Sequence, residues 1–291
     1  MNPIVLETKD LGYLYSKGTS SQVAAINDIN LKIEQGELVG IIGHTGSGKS
    51  TLVEHFNAIL KPTSGSVYLD GNDIWADKKN IRSVRFKVGV CFQYPEYQLF
   101  EDTVEKDIAY GPKNMGLSED EINSRVHESL AFVGLSDNYL EKSPFDLSGG
   151  EKRRVAIAGV MAMRPEILVL DEPCAGLDPI GRNTVLDLIV NYRKKTGSTV
   201  IVVSHSMEDI SKIATKILVM NESRLAYYDT VDNVFSHAAE LFSMGLDVPQ
   251  ITQLFLKLKD AGYDVRTDIY TFPDAEKELL KLLKRRGNNA Q

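Results

Sequence analysis

The residues best suited to chemistry lie in a glycine-rich segment near the start of the chain. Residues 43–51 read Gly-His-Thr-Gly-Ser-Gly-Lys-Ser-Thr, which matches the phosphate-binding pattern Gly-x-x-x-x-Gly-Lys-[Ser/Thr] in full. An apolar run, residues 38–42, precedes the segment, and a helical pattern from Thr51 to Leu60 follows it. In such a strand–loop–helix, backbone N–H groups and the positive helix end bind phosphate oxygens. The residues predicted to bind nucleotide are Gly43, His44, Thr45, Gly46, Ser47, Gly48, Lys49, Ser50 and Thr51.

Two further apolar runs end in groups that could act on a bound phosphate. Residues 167–170 lead directly into Asp171 and Glu172, and residues 200–203 lead into Ser204 and His205. Because the carboxyl ends of parallel strands share one edge of a sheet, these side chains are expected beside the phosphate loop. Asp171 and Ser50 are predicted to hold Mg²⁺, Glu172 to orient the attacking water, and His205 to meet the terminal phosphate.

Two weaker candidates complete the predicted site. Gln93 ends the apolar segment Val88–Phe92, where its amide could coordinate Mg²⁺ or the attacking water while its loop touches a partner. Tyr15, with Tyr13 as second choice, lies before the phosphate loop and could stack on a nucleotide base.

Composition limits where such a protein can work. The 291 residues are 43% hydrophobic and 25% charged, with a net charge of −7, which disfavours an extended nucleic-acid surface. The apolar runs are far shorter than a membrane span, and no signal pattern follows Met1, so a membrane role is expected to be peripheral, through a partner. Cys91 and Cys174 are predicted to be reduced thiols, and the five histidines lack metal-ligand spacing.

The pattern along the chain predicts an α/β core with two helical additions. Short strand-like runs surround the phosphate loop, whereas residues from about 100 to 165 are mainly helical, with a helix start at Ser118. After Asp229 the chain continues as residues 230–291, where Ile251, Leu254, Phe255 and Leu258 form one apolar helix face. The tail from Lys277 to Arg286 is predicted either to pack on the protein or to lie on anionic lipid.

With these motifs in place, the chain resembles the ATP-binding cassette (ABC) ATPases from about Ile4 to Asp229. The phosphate loop, Gln93, Leu147–Glu151, Asp171-Glu172, Gly176–Asp178 and His205 all follow that family's order. The resemblance implies a RecA-like P-loop NTPase core, an antiparallel β-subdomain, an inserted helical subdomain and a small C-terminal helical extension that is expected to be dimer-related. It also implies that Ser148, Gly149 and Gly150 grip the ATP of a partner subunit. Glu151 and Cys174 depart from the commoner Gln and Ser or Thr.

More narrowly, the segments 90–100, 146–159 and 171–179 resemble the ATPases of energy-coupling factor (ECF) transporters, most closely the second of their two paralogues. This implies an ATPase that requires ATP and Mg²⁺, pairs with a paralogue and docks on a membrane-embedded coupling protein at the cytoplasmic face. That protein would hold substrate-binding subunits for a vitamin or a transition-metal ion. An ordinary ABC importer served by a soluble binding protein, or a soluble non-transport ABC ATPase, remains the alternative.

The segment after Gln93 is predicted to form the docking surface. Five acids, interleaved with aromatic residues and a leucine, would suit a basic helix of the partner. The acids are Glu96, Glu101, Asp102, Glu105 and Asp107, and the residues between them are Tyr94, Tyr97, Leu99 and Phe100.

Overall fold

The computed structural model describes the backbone of residues 2–289 and the side chains of residues 2–284. Its strands are β1 (Ile4–Tyr15), β2 (Val23–Glu34), β3 (Leu38–Gly43), β4 (Ser64–Leu69), β5 (Asn72–Asp73), β6 (Val88–Cys91), β7 (Ile167–Asp171), β8 (Thr199–Val203), β9 (Lys216–Asn221) and β10 (Arg224–Thr230). Its helices are α1 (Lys49–Phe56), α2 (Ile81–Lys87), α3 (Val104–Asn114), α4 (Glu119–Phe132), α5 (Gly149–Met161), α6 (Pro179–Thr196), α7 (Met207–Ile213), α8 (Val231–Ser236), α9 (Ala238–Ser243), α10 (Gln250–Asp260) and α11 (Phe272–Asn289).

A six-stranded sheet of order β10-β9-β3-β8-β7-β6 forms the centre of the molecule. All neighbours in it are parallel except β10 and β9. Every residue of β3, β7 and β8 is buried, as expected for parallel strands covered on both faces. A separate antiparallel sheet, β2-β1-β4-β5, completes the predicted α/β class with its antiparallel subdomain.

Strand register determines where the functional groups lie. Ile41 of β3 pairs with Val203 of β8, and Val203 also pairs with Asp171 of β7. The carboxyl ends of these strands therefore lie at one edge of the sheet. The phosphate loop, the two carboxylates and His205 emerge together there, as the apolar runs predicted.

The helical insert consists mainly of α3, α4 and α5, which pack on one another through buried apolar side chains. Ser118 caps α4, as predicted, and its hydroxyl accepts the N–H of Glu121. The helix after the phosphate loop ends earlier than predicted, at Phe56 rather than Leu60. Ala58 has a left-handed φ of 54°, and the Asn57 side chain donates to the carbonyl of Val88, so residues 57–60 form a turn.

The C-terminal extension packs on itself around a small apolar cluster. Phe255 of α10 is fully buried and contacts Val265, Ile269 and Ala275, the last of which belongs to α11. The Leu254 side chain, by contrast, is 43% exposed. One face of the tail helix therefore packs on the protein, while the side chains of residues 285–291, including Arg286, lie outside the described part. Within residues 2–289, no helix is long and apolar enough to cross a bilayer.

Candidate functional site

The phosphate loop leaves β3 at Gly43 and enters α1 at Lys49. The Lys49 ammonium donates to two carbonyls of its own loop, to Gly43 O at 2.7 Å and to His44 O at 2.9 Å. Burial lowers the pKa of Lys49, although the nearby carboxylates Glu172 and Asp171 oppose this change. The ammonium therefore lies over the loop, close to the space where phosphate oxygens would bind.

Gly48 shows why this loop requires glycine. Its φ is 101°, and a Cβ atom there would lie 2.3 Å from the carbonyl oxygen of Ala25 in β2. Gly46 also has a positive φ, 82°, but nothing lies within 4 Å of its Cβ direction. Gly48 allows close backbone packing, and Gly46 leaves the mouth of the loop open.

Four of the predicted groups meet where β7 and β8 end beside the start of α1. The Ser50 hydroxyl donates to Asp171 Oδ2 at 3.3 Å, and His205 Nε2 lies 3.6 Å from Glu172 Oε1. Glu172 has a φ of 50°, and its N–H donates to Val203 O at 3.0 Å. A left-handed conformation is unfavourable for a non-glycine residue, so the surrounding structure holds this carboxylate in place.

Burial favours the uncharged forms of Glu172, Asp171 and His205. Burial, with a smaller contribution from Asp171, raises the pKa of Glu172 to about 7. Burial also raises the pKa of Asp171 and lowers that of His205, and the Lys49 charge adds to the effect on His205. A carboxylate with such a pKa can accept a proton from water near neutral pH.

Tyr15 lies beside the first turn of α1, next to the phosphate loop. Its hydroxyl is 3.2 Å from that of Thr51, and the side chain is 41% exposed. Tyr13 is only partly exposed, and its ring lies edge-on to Tyr15, with centroids 4.8 Å apart, and to His55, at 5.0 Å. The exposed ring of Tyr15 can receive a base, with Tyr13 as its support. The contact of His55 with the Tyr13 ring could not be predicted from the sequence, because nothing in the pattern around His55 indicates that this histidine is fully buried.

Gln93 is not drawn into this cluster. It is exposed on the loop after β6, and its side chain has no hydrogen bond within the described residues. The loop does follow the strand next to β7, so the amide lies near the same edge of the sheet.

The second glycine-rich segment forms the N-terminus of α5. Ser148 caps the helix in a capping box with Glu151, whose carboxylate accepts the Ser148 hydroxyl at 2.6 Å and its N–H at 2.8 Å. The pKa of Glu151 falls to about 2, chiefly through Ser148 and then through Tyr139. Gly149 and Gly150 have nothing within 4 Å of their Cβ directions. As first-turn residues of α5 their N–H groups have no intrahelical partner, and such N–H groups can bind a phosphate from outside the chain.

The predicted acidic docking surface needs correction. Two of its five acids point inward: Glu96 forms a bidentate pair with the buried Arg153, and Asp107 accepts the N–H groups of Phe100 and Glu101. A partner therefore cannot pair freely with Glu96, and reversing its charge would disrupt the interior. The aromatic part is exposed as expected, with Tyr97 at 84% and Phe100 at 57%.

Comparison with known proteins agrees with this geometry. The family model described as ABC transporter matches residues 26–175. The energy-coupling factor transporter ATP-binding protein EcfA2 of Clostridium acetobutylicum is 51% identical, over 97% of this chain and 98% of that relative. The protein of the same name from Clostridium perfringens is 49% identical over 98% and 99% of the two chains.

Two solved structures also match. The structure of cbiO1 from Clostridium perfringens, described as part of the ABC transporter complex cbiONQ, has a TM-score of 0.75 and 38% identity, covering 90% of this chain and 98% of its own. A dimeric, post-hydrolysis structure of the ATP-binding cassette MJ0796, bound to ADP and Pi, has a TM-score of 0.69 and 27% identity over 78% and 98% of the chains.

The fold and the phosphate loop thus define an ATP-binding cassette ATPase. The near-full-length relatives narrow this further, and the chain belongs to the ATP-binding proteins of energy-coupling factor transporters, within the ABC transporter family.

Proposed function

We propose that this chain hydrolyses ATP at the edge of its parallel sheet and supplies the energy for uptake of a vitamin or a transition-metal ion. The observation that carries the assignment is the convergence of Lys49, Asp171, Glu172 and His205 beside one phosphate loop. Lys49 binds the β- and γ-phosphates, Glu172 accepts a proton from the attacking water, and His205 donates to the γ-phosphate.

Mg²⁺ is the metal that this site fits. Ser50 and Asp171 already touch through oxygen atoms, and Gln93 can supply a third oxygen from its exposed loop. Within the described residues, no group of three or more His, Cys, Asp or Glu side chains could hold a metal. A site with one carboxylate, one hydroxyl and substrate phosphates is typical of Mg²⁺. Bound there, Mg²⁺ would neutralise phosphate charge, while Asp171 keeps the Ser50 hydroxyl in place.

The chain works as half of an ATPase pair in this proposal. Ser148, Gly149 and Gly150 form the N-terminus of α5, where Ser148 and Gly149 are exposed and nothing lies within 4 Å of the Cβ directions of the two glycines. A phosphate-binding terminus that faces solvent is suited to the nucleotide of a neighbouring subunit. We take that neighbour to be a paralogous cassette, with the C-terminal extension, residues 230–291, contributing to the pairing. The solved cassette MJ0796 is dimeric, which supports the arrangement.

The docking surface for the membrane subunits lies after Gln93. Tyr94, Tyr97, Phe100 and Tyr110 are all exposed, and the last two pack edge-on with ring centroids 4.9 Å apart. A groove of about 340 Å³ beside them includes Phe100, Tyr110 and apolar residues of α5. With Glu96 and Asp107 engaged internally, the exposed aromatic rings, Glu101 and Glu105 remain for the partner, while Asp102 forms a surface pair with Lys106 at 3.3 Å. This surface suits a helix of the coupling protein with apolar and basic side chains.

Purification of the tagged chain from native membranes in mild detergent, followed by mass spectrometry, tests this function. We expect a second cassette ATPase and polytopic membrane proteins to follow the chain. Tyr97→Ala should release the chain from the membrane proteins, whereas Val23→Ala, at a residue that is 60% exposed on β2, should not. Recovery of ribosomes or nucleic acid without membrane proteins would contradict the transport assignment and leave the ATPase assignment intact.

A further inference from the structure

Arg153 is a buried cation in α5, the helix that begins at Gly149. Its side chain is only 4% exposed, and its guanidinium has four hydrogen bonds to three separate residues. Nη2 and Nε donate to Glu96 Oε1 at 2.7 Å and Oε2 at 3.1 Å. Nη1 donates to Pro173 O at 3.3 Å and Ala175 O at 2.5 Å. A planar guanidinium is suited to such a fork, and a lysine could not reproduce it.

The residues bound by Arg153 belong to two different parts of the proposed ATPase. Glu96 lies in the turn Pro95–Gln98 with the exposed Tyr97, three residues after Gln93. Pro173 follows Glu172 directly, and Ala175 comes two residues later in the same loop. Arg153 itself lies one turn after the helix end that presents Gly149 and Gly150. One buried cation therefore connects the docking surface, the loop after the general base and the helix that grips the partner's nucleotide.

Opposite charges on Arg153 and Glu96 strengthen the connection between the two segments. Burial alone would raise the pKa of Glu96, but the hydrogen bonds and charge of Arg153 lower it overall, so the pair is ionised. Moving Glu96 away from α5 would leave a buried guanidinium without its counter-ion, which is costly. A displacement of the Tyr97 turn would therefore pull on α5 and on the loop after Glu172, to which Arg153 is bonded.

We propose that Arg153 and Glu96 couple the docking surface to the hydrolytic site, as positioning residues that communicate the state of the membrane partner to Glu172. The proposal rests on the docking function proposed above. The two side chains bond each other, Arg153 also bonds the carbonyls of Pro173 and Ala175, and both act through the segments that they hold together.

The test compares ATP hydrolysis by the membrane assembly with hydrolysis by the isolated ATPase pair. The ratio of these two rates measures coupling. We expect Glu96→Gln and Arg153→Lys each to lower the ratio by about tenfold, a size typical of allosteric coupling. The double variant should lower it no further than either single variant, because both substitutions break the same link. Lys152→Gln, a neighbouring cation without these contacts, serves as the matched control and should keep the wild-type ratio.

Thermal melting and membrane retention are measured for the same variants. A purely structural role would lower the melting temperature and reduce both rates equally, so that an unchanged ratio would overturn the proposal. Additive losses in the double variant would also overturn it. If the wild-type chain neither binds nor responds to membrane subunits, the proposed docking function fails. If it does respond and the variants respond equally, only the coupling role of Arg153 and Glu96 fails.

Discussion

Removal of the Tyr15 ring should weaken ATP binding without affecting the phosphate grip. The ring is 41% exposed and lies next to the phosphate loop, with its hydroxyl 3.2 Å from that of Thr51. Stacking of a base on an aromatic ring contributes about 1–3 kcal/mol, so Tyr15→Ala should weaken ATP binding roughly 5- to 150-fold. Tyr15→Phe keeps the ring and loses only one partly buried hydrogen bond, worth about 1 kcal/mol, so its affinity for ATP should fall less than that of Tyr15→Ala.

Isothermal titration with Mg²⁺-ATP and with Mg²⁺-tripolyphosphate separates the base from the phosphates. Tyr15→Ala should lose affinity for ATP and bind tripolyphosphate as the wild type does. Tyr13→Leu should show a smaller loss for ATP alone, because Tyr13 supports the Tyr15 ring from the side. The reasoning is refuted if Tyr15→Ala binds ATP normally, or if it loses both ligands equally.

Three further predictions concern stability and are read from thermal melts. The pKa of Glu172 is raised in the folded state from 4.5 to about 7, so the charged carboxylate lowers the stability of the folded protein above pH 7. Glu172→Gln should therefore stabilise the free protein above pH 7, and this gain should shrink as the pH falls toward 4.5. Burial lowers the pKa of His55, so the wild type should lose stability as the pH falls below 6.5. His55→Phe should lose less stability over the same pH range. An equal loss in the wild type and the variant would contradict this role of His55. Gly48→Ala should destabilise strongly because its Cβ meets the carbonyl of Ala25, whereas Gly71→Ala, with a similar positive φ but open space, should cost only about 1–2 kcal/mol; equal losses would contradict the packing argument.

The fold class and the position of the phosphate site were both predictable from the sequence. The motif at Lys49 has a fixed local geometry, and apolar runs that end in Asp171 and His205 can reach only one edge of a parallel sheet. The capping box at Ser148 was also visible, as Ser followed three residues later by Glu151, although the sequence reasoning did not use it.

The interior pairing of charged residues was not predictable. Glu96 reads as one acid in an exposed run, but its partner Arg153 lies 57 residues away, and the pairing depends on how the helical insert packs on the sheet. The end of α1 was misjudged for a similar reason, since the Asn57 side chain finds the carbonyl of Val88 only in the folded chain. Local patterns specify elements, whereas such long-range hydrogen bonds follow from tertiary packing.

Single-turnover hydrolysis of ATP by the assembled ATPase pair tests the role of Glu172 most directly. Glu172→Gln should bind ATP normally and lower the hydrolysis rate at least about 100-fold, the usual loss when a general base is removed. Glu166→Gln, at the other end of β7 and paired with Lys87 on the surface, is the control and should hydrolyse ATP at the wild-type rate. Near-normal hydrolysis by Glu172→Gln would contradict the assignment of this carboxylate as the base.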